Sequence, residues 1–448
     1  MRQPHTTLAR MLTMPSRPRT RAALLPIAAC LAAAIGLASC EGKDAHVDGP
    51  KGASALDRFV VVGTGRSMGV QSGGVRYESQ VESGPALLAH AAGMDFRMPL
   101  LRAPGCQPPL IAPLQLNVYL SGVSAGVIDS SCAGTLDTLT PPLNDLAIAG
   151  ATAYSALLLT PKAVLNAVVP YGAGDRARYP LVLGSTQSQV TALRIQGASF
   201  VAIELGLTET LPAVMSGLDL PATSYTQTTP FTNVSAGLFA PVFAAIADSV
   251  NLTGARVIVL VPPHMEYLYG LRPASDIWAD RAELATFGVT VAADCSTSGN
   301  FVFTPSVVPP LAARAASSGA PQPLSCADIP GAADGIVTTG DLARFDQFTV
   351  SAESQLGDIA KKNGWALLDL DDVFIAMSRD RASYSASAEL TCVYPYGAFT
   401  SLDGVFPNVA GQQLIAYAAA SAINGTYGLS LPTAPVSTIA ITAAKLCP

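Results

Sequence analysis

Charge is scarce in this chain. Asp, Glu, Lys and Arg together make up 13% of its 448 residues, about half the usual share, so Ser, Thr, Gly and Pro must cover much of the surface. The net charge is −6, which leaves no basic excess for a phosphate backbone and excludes nucleic acid as a partner. Histidine is scarcer still, with four in all and none beyond His264. There is no CxxC pair and no cluster of histidines, so the common zinc sites are excluded and no metal is expected. No internal repeat is evident. The apolar run Ala22–Leu37 is interrupted by Pro26 and is about 16 residues long, short of the ~20 that a membrane span needs.

What is present points to export and to a large core. Hydrophobic residues make up 50% of the chain, and its length allows one large domain or two. Arg17, Arg19 and Arg21 precede the apolar run, which ends Leu37-Ala38-Ser39-Cys40. A basic start, a short apolar stretch and a small-residue exit mark a targeting segment rather than fold. The exit resembles a bacterial lipobox. The resemblance implies cleavage before Cys40, lipid on its sulfur, and a protein anchored to the bacterial cell envelope at the outer membrane or cell surface. An ordinary secretory signal with a chance cysteine is the alternative, and Met11 or Met14 are alternative starts. Residues 1–39 are then signal peptide, and 40–57 are the lipidated cysteine and a polar, Gly-rich tether. Residues 58–448 form a single domain with insertions at about 99–142 and 271–333.

Of eight cysteines, Cys30 leaves with the signal and Cys40 carries lipid. The six that remain suggest three disulfides in an exported chain, and six cysteines allow 15 pairings. Sequential pairing is expected: Cys106 with Cys132, Cys295 with Cys326, and Cys392 with Cys447.

Taken in order, the chain alternates strand and helix. Apolar strands are expected at Phe59–Val62, Leu146–Ile148, Phe200–Leu205, Arg256–Val261 and Trp365–Leu370. Helices are expected at Ser79–Ala92, Thr186–Gln196, Ala236–Val250, Asp341–Asn363 and Val409–Asn424. Leu114–Leu120 alternates like an edge strand or hairpin, and Leu271–Ala333 is a Pro- and Ala-rich insertion. Five strands alternating with helices predict an α/β fold with a mostly parallel five-stranded sheet and helices on both faces.

The stretch Phe59–Gly74, FVVVGTGRSMGVQSGG, organises the rest. A buried strand runs into a Gly-rich turn, the place where open α/β sheets bind ligands. Three readings of the turn compete. Gly63-Thr64-Gly65 resembles the start of a dinucleotide fingerprint, but its third glycine is missing and no acidic strand end follows. Gly65-Arg66-Ser67-Met68-Gly69 fits a nucleophile elbow, G-x-S-x-G, but that motif needs a histidine late in the chain. The third reading rests on three stretches: Gly63–Gly74, Leu146–Gly150 with Gly206–Glu209, and Asp403–Asn408, which reads Asp-Gly-Val-Phe-Pro-Asn. These resemble the conserved blocks of the SGNH (GDSL) hydrolases, and the resemblance covers nearly all of Arg58–Gly428.

The resemblance implies a three-layer α/β/α sandwich of flavodoxin-like type, with sheet order 2-1-3-4-5 and no cofactor. It also implies a serine nucleophile, an oxyanion hole of amides and an asparagine, and a D-x-x-H pair. At those positions this chain has Gly65 for the nucleophile, Gly150 for the oxyanion glycine, Thr208 for the asparagine, Asp403 for the orienting carboxylate and Phe406 for the base. Only Gly150 and Asp403 keep the family's identities. A non-catalytic member, a pseudoenzyme, is therefore expected, binding a small acyl or glycan ligand or an envelope protein. The alternative is an active esterase with a relocated nucleophile, Ser67, and His264 as base. Strand spacing puts those strand ends roughly 10 Å apart, against the ~3 Å that a serine–histidine hydrogen bond needs. Otherwise Ser67 is a turn serine, His264 a loop residue, His90 a helix-surface residue, and Glu209 a carboxylate at a helix N-terminus.

Overall fold

The computed structural model describes residues 56–124, 131–137, 139, 142–167, 171–225, 232–378 and 385–433. Within them, β1 (Phe59–Gly63) leads into α1 (Gly65–Met68), and α2 spans Gly84–Ala91. Next come α3 (Ala153–Leu158), α4 (Gln189–Gln196), β2 (Phe200–Glu204) and α5 (Ala236–Asn251). They are followed by β3 (Arg256–Val261), α6 (Thr339–Asn363), β4 (Ala366–Asp369), α7 (Leu370–Met377) and α8 (Val409–Tyr427).

The four strands form one parallel sheet in the order β1-β2-β3-β4. Val61 faces Ala202, Ala202 faces Ile258, and Ile258 faces Ala366. Every residue of β1 and β2 is buried, as the unbroken apolar runs require of strands covered on both faces. Helix α8 packs on β4, α2 and α7, whereas α6 packs on β3 and α5, and α5 meets α3 and α4.

The fifth expected strand is not a strand. Residues 144–148 run beside β1 in parallel steps: the Val61 amide donates to Asn144 O, Leu146 to Val61 O, and Ile148 to Gly63 O. A single bridge, Val61–Asp145, is all the ladder that forms. Side chains do the rest of the pairing. Asn144 Nδ2 donates to Phe59 O at 2.7 Å and its Oδ1 accepts from the Arg97 amide, while Asp145 Oδ1 folds back to the Ala147 amide. Such local side-chain bonds compete with a backbone ladder.

Other expectations change in detail. The helix expected over Ser79–Ala92 is two, Tyr77–Val81 and α2, because Ser83 caps a new start with Pro85 in its first turn. The hairpin expected over Leu114–Leu120 is a 3-10 turn at Leu114–Leu116 behind Pro113, with Asn117 left-handed at φ 48°. Two isolated antiparallel bridges, Leu110–Tyr119 and Val118–Ser124, remain of the pairing.

Disulfides join Cys106 to Cys132 and Cys295 to Cys326. Cys392 is also disulfide-bonded; Cys447 lies outside the described residues, as do Cys40 and the segment before it. The insertion beginning at Leu271 has its own apolar core, with Ile277, Leu284, Val302, Val308 and Leu324 around the buried Cys295–Cys326 bridge. No helix among the described residues is long and apolar enough to cross a membrane.

Candidate functional site

The site is built where β1 ends. Gln189, fully buried on α4, grips the last residue of the strand. Its Oε1 accepts from the Gly63 amide at 2.9 Å and its Nε2 donates to Gly63 O at 3.1 Å. The chain then turns through α1, every residue of which is buried. Gly69 closes the turn at φ 88°, and a Cβ there would sit 2.6 Å from Ser79 O. Only glycine accepts that backbone against so close a neighbour.

Glu204 holds α1 in place. It ends β2, is 2% exposed, and its Oε2 accepts from the Thr64 and Ser67 amides at 3.2 and 3.1 Å. Its Oε1 accepts from Arg66 Nη1 at 3.3 Å. The Arg66 guanidinium is itself buried and lies 5.4 Å over the Phe374 ring. Burial pushes the Glu204 carboxyl up and the Arg66 guanidinium down, and each is opposed by the other's charge. Nothing in the sequence reading singled out Glu204. A glutamate ending an apolar run reads as a strand leaving the core, and its partners lie 138 positions away.

Ser67 points into this buried knot. It is 3% exposed, and its amide donates to the Glu204 carboxylate at 3.1 Å. A Cβ on Gly63 would sit 3.0 Å from Ser67 Oγ. His264 makes its bonds elsewhere, with Nδ1 2.5 Å from Asp371 Oδ2 and its amide donating to Asp371 Oδ1 at 2.8 Å. Among the described residues no hydrogen bond joins Ser67 to His264. Asp371, in the first turn of α7, was hidden by its acidic neighbours in Asp369-Leu370-Asp371-Asp372.

The structure does bring Gly65 and Phe406 together. Gly65 lies in helical α1, and a Cβ there would sit 3.0 Å from Phe406 Cε1 and Cζ. The two stretches that carry them are clamped by hydrogen bonds. Ser401 Oγ accepts from the Ser72 amide at 2.8 Å, and Ser72 Oγ accepts from the Leu402 amide at 3.3 Å. Asp403 Oδ2 accepts from the Gly73 amide at 2.7 Å and from Ser401 Oγ at 3.0 Å. Asp403 Oδ1 accepts from the Val405 and Phe406 amides at 2.8 and 2.7 Å. Burial pushes this carboxyl up, opposed by its four donors. Both oxygens are thus spent on holding loops.

Thr208 Oγ1 is 2.9 Å from Thr64 Oγ1, which ties the ends of β1 and β2 across the site. Gly150 is exposed at φ 83° with open space where a Cβ would project. Glu209 lies just before the helix Leu211–Ser216 and bonds the first amide of α3. It is fully buried, and its Oε1 accepts from the Ala153 amide at 2.8 Å and from Tyr225 Oη at 2.5 Å. Burial pushes its carboxyl up. His90 is exposed on α2. Among the described residues no three His, Cys, Asp or Glu side chains gather to hold a metal ion.

Asp145 adds a titration beside these groups. Burial pushes its carboxyl from 3.8 up to about 8, against the bond from the Ala147 amide. A carboxyl whose folded pKa is raised binds its proton more tightly folded than unfolded. Stability is therefore greatest below the unfolded value and falls as pH rises from about 4 to about 8. Asp145→Asn keeps an oxygen for the Ala147 amide and removes the charge. The variant should exceed wild type by on the order of 5 kcal/mol near pH 8 and match it near pH 4. Thermal melts at both pH values check this, and a gain independent of pH would refute it.

Comparison of the chain with protein-family models and with curated proteins finds no match.

Proposed function

We propose that this chain is an SGNH hydrolase-like pseudoenzyme, anchored to the bacterial envelope by lipid on Cys40. One observation carries the reading: Gly65 and Phe406, distant in sequence, are neighbours at the end of β1, with the ring 3.0 Å from where a Cβ on Gly65 would stand. Those are the positions at which the resemblance expects a nucleophile and its base, which must touch to work. The clamp between Ser72-Gly73 and Ser401-Asp403 supports the same alignment. So does the order of segments across the sheet, 144–148, β1, β2, β3, β4, if the first serves as the fifth strand of a three-layer sandwich.

On this reading the scaffold keeps its shape without its chemistry. Gly65 has nothing to attack with, Phe406 cannot take a proton, and Thr208 directs its hydroxyl to Thr64. An aromatic edge on the cleft floor favours apolar contact with an acyl ligand or a partner surface over transition-state binding. The test is labelling with a fluorophosphonate, which needs an activated serine. The purified protein should remain unlabelled under conditions that saturate an active serine esterase. Stoichiometric labelling lost on Ser67→Ala would overturn the reading in favour of a relocated nucleophile.

A further inference from the structure

A separate cleft of about 140 Å³ lies beside the Gln71–Gly74 turn, between the helix Tyr77–Val81 and the loop at 109–120. We propose that it binds a neutral six-membered sugar ring. This inference stands apart from the hydrolase resemblance and needs only the residues that line the cleft.

The size is right for one ring. A cavity of ~150 Å³ takes up benzene, and an open cleft of similar volume can seat a ring while its substituents reach solvent. The walls are preformed, as ligand sites usually are. Leu110 N donates to Ser72 O at 2.7 Å, Leu120 N to Pro109 O at 2.8 Å, and Cys106 N to Val75 O at 2.8 Å. The Cys106–Cys132 disulfide holds the loop from behind.

The lining is of two kinds. Leu110, Ile111 and Leu120 supply apolar surface suited to the C–H face of a ring. Gln71, Arg76 and Glu82 supply donors and acceptors. Gln71 lines the cleft and its Nε2 is buried with no hydrogen-bond partner, so a turn of the amide toward the cleft would let a seated ring supply the missing acceptor. Arg76 is paired with Glu78 at 3.4 Å, and Glu82 adds a second carboxylate. One cation among two carboxylates has no surplus for an anion, and the guanidinium opposes a ligand cation. A plain acyl chain would offer the Gln71 amide and the Glu82 carboxylate no partner. Hydroxyl groups both donate and accept, and a ring bearing them matches both kinds of lining.

The experiment is a saturation-transfer NMR titration of the full chain with methyl β-D-glucopyranoside and with N-acetyl-D-glucosamine. At least one should bind saturably in the millimolar range. Gln71→Leu should weaken that binding five- to tenfold, the scale of one lost hydrogen bond, without lowering Tm, since it removes a buried donor that has no partner. Leu120→Trp, which fills the cleft from its apolar side, should abolish binding in a protein whose circular dichroism is unchanged. Failure of both sugars to saturate into the tens of millimolar would overturn the proposal. So would binding that neither substitution alters, or saturable binding of tetramethylammonium or acetate in place of the sugars.

Discussion

Glu204→Ala should lower stability by about 3–5 kcal/mol, the cost of breaking a buried ion pair from one side. In a protein with ~5–15 kcal/mol to lose, that is a large share of the total. Three groups lose their acceptor at once: the Thr64 and Ser67 amides and the Arg66 guanidinium. All are buried, so water cannot replace the carboxylate without opening the turn. The effect belongs to the uncompensated charge more than to the pair. Arg66→Met with Glu204→Leu should therefore recover only part of the loss, since it removes the unpaired charge but still leaves the Thr64 and Ser67 amides without an acceptor. Urea midpoints of the two single variants and the double variant measure this. A single variant within about 1 kcal/mol of wild type would show that the carboxylate does not hold α1.

Restoring the missing side chains should create esterase activity, the largest functional effect expected of any substitution here. Gly65 has no left-handed backbone to defend, since it lies in helical α1. The obstacles to serine are the Phe406 ring and Val70 Cγ2, each 3.0 Å from where its Cβ would stand. Gly65→Ser alone should therefore displace them and gain nothing. Phe406→His eases the first and supplies a base on a loop that Asp403 already anchors through the amides of Val405 and Phe406. Asp403 is fully engaged there, which keeps the ring's orientation loose and the activity low. Thr208→Asn exchanges the hydroxyl bonded to Thr64 for an amide donor, and one oxyanion donor is worth ~10²–10³ in rate. Hydrolysis of p-nitrophenyl acetate should be weak in the double variant and roughly that much faster in the triple. Circular dichroism checks that each is folded. A folded triple variant without activity would remove the geometric basis for the proposed family cleft.

The sheet was legible because parallel strands buried on both faces leave long apolar runs, and Phe59–Val62, Phe200–Glu204 and Arg256–Val261 are such runs. Leu146–Ile148 looks the same in sequence, yet Asn144 and Asp145 ahead of it divert the hydrogen bonds into side chains. The insertion's Pro- and Ala-rich composition gave no element, yet the helix Thr304–Ser318 runs through Pro309 and Pro310 because Val308, Leu311 and Ala312 bury against a core of their own. At the site, pattern located Gly65, Asp403 and Phe406 and could not show that they meet. Glu204, Gln189 and Asp371 carried no local signal, since each acts on a backbone or side chain far away in the chain. The burial of Glu209 was hidden for the same reason: Tyr225 and the start of α3, which bond its carboxylate, are not announced by its neighbours in sequence.

The central claim is that the residues at the end of β1 do no acyl chemistry. Turnover of p-nitrophenyl acetate by the purified wild-type chain, beside Ser67→Ala and His264→Ala, tests it most directly. The predicted result is hydrolysis indistinguishable from buffer in all three. Turnover well above buffer in wild type that either substitution abolishes would contradict the account, because it would show a working nucleophile or base where the structure places only buried and loop-bound side chains.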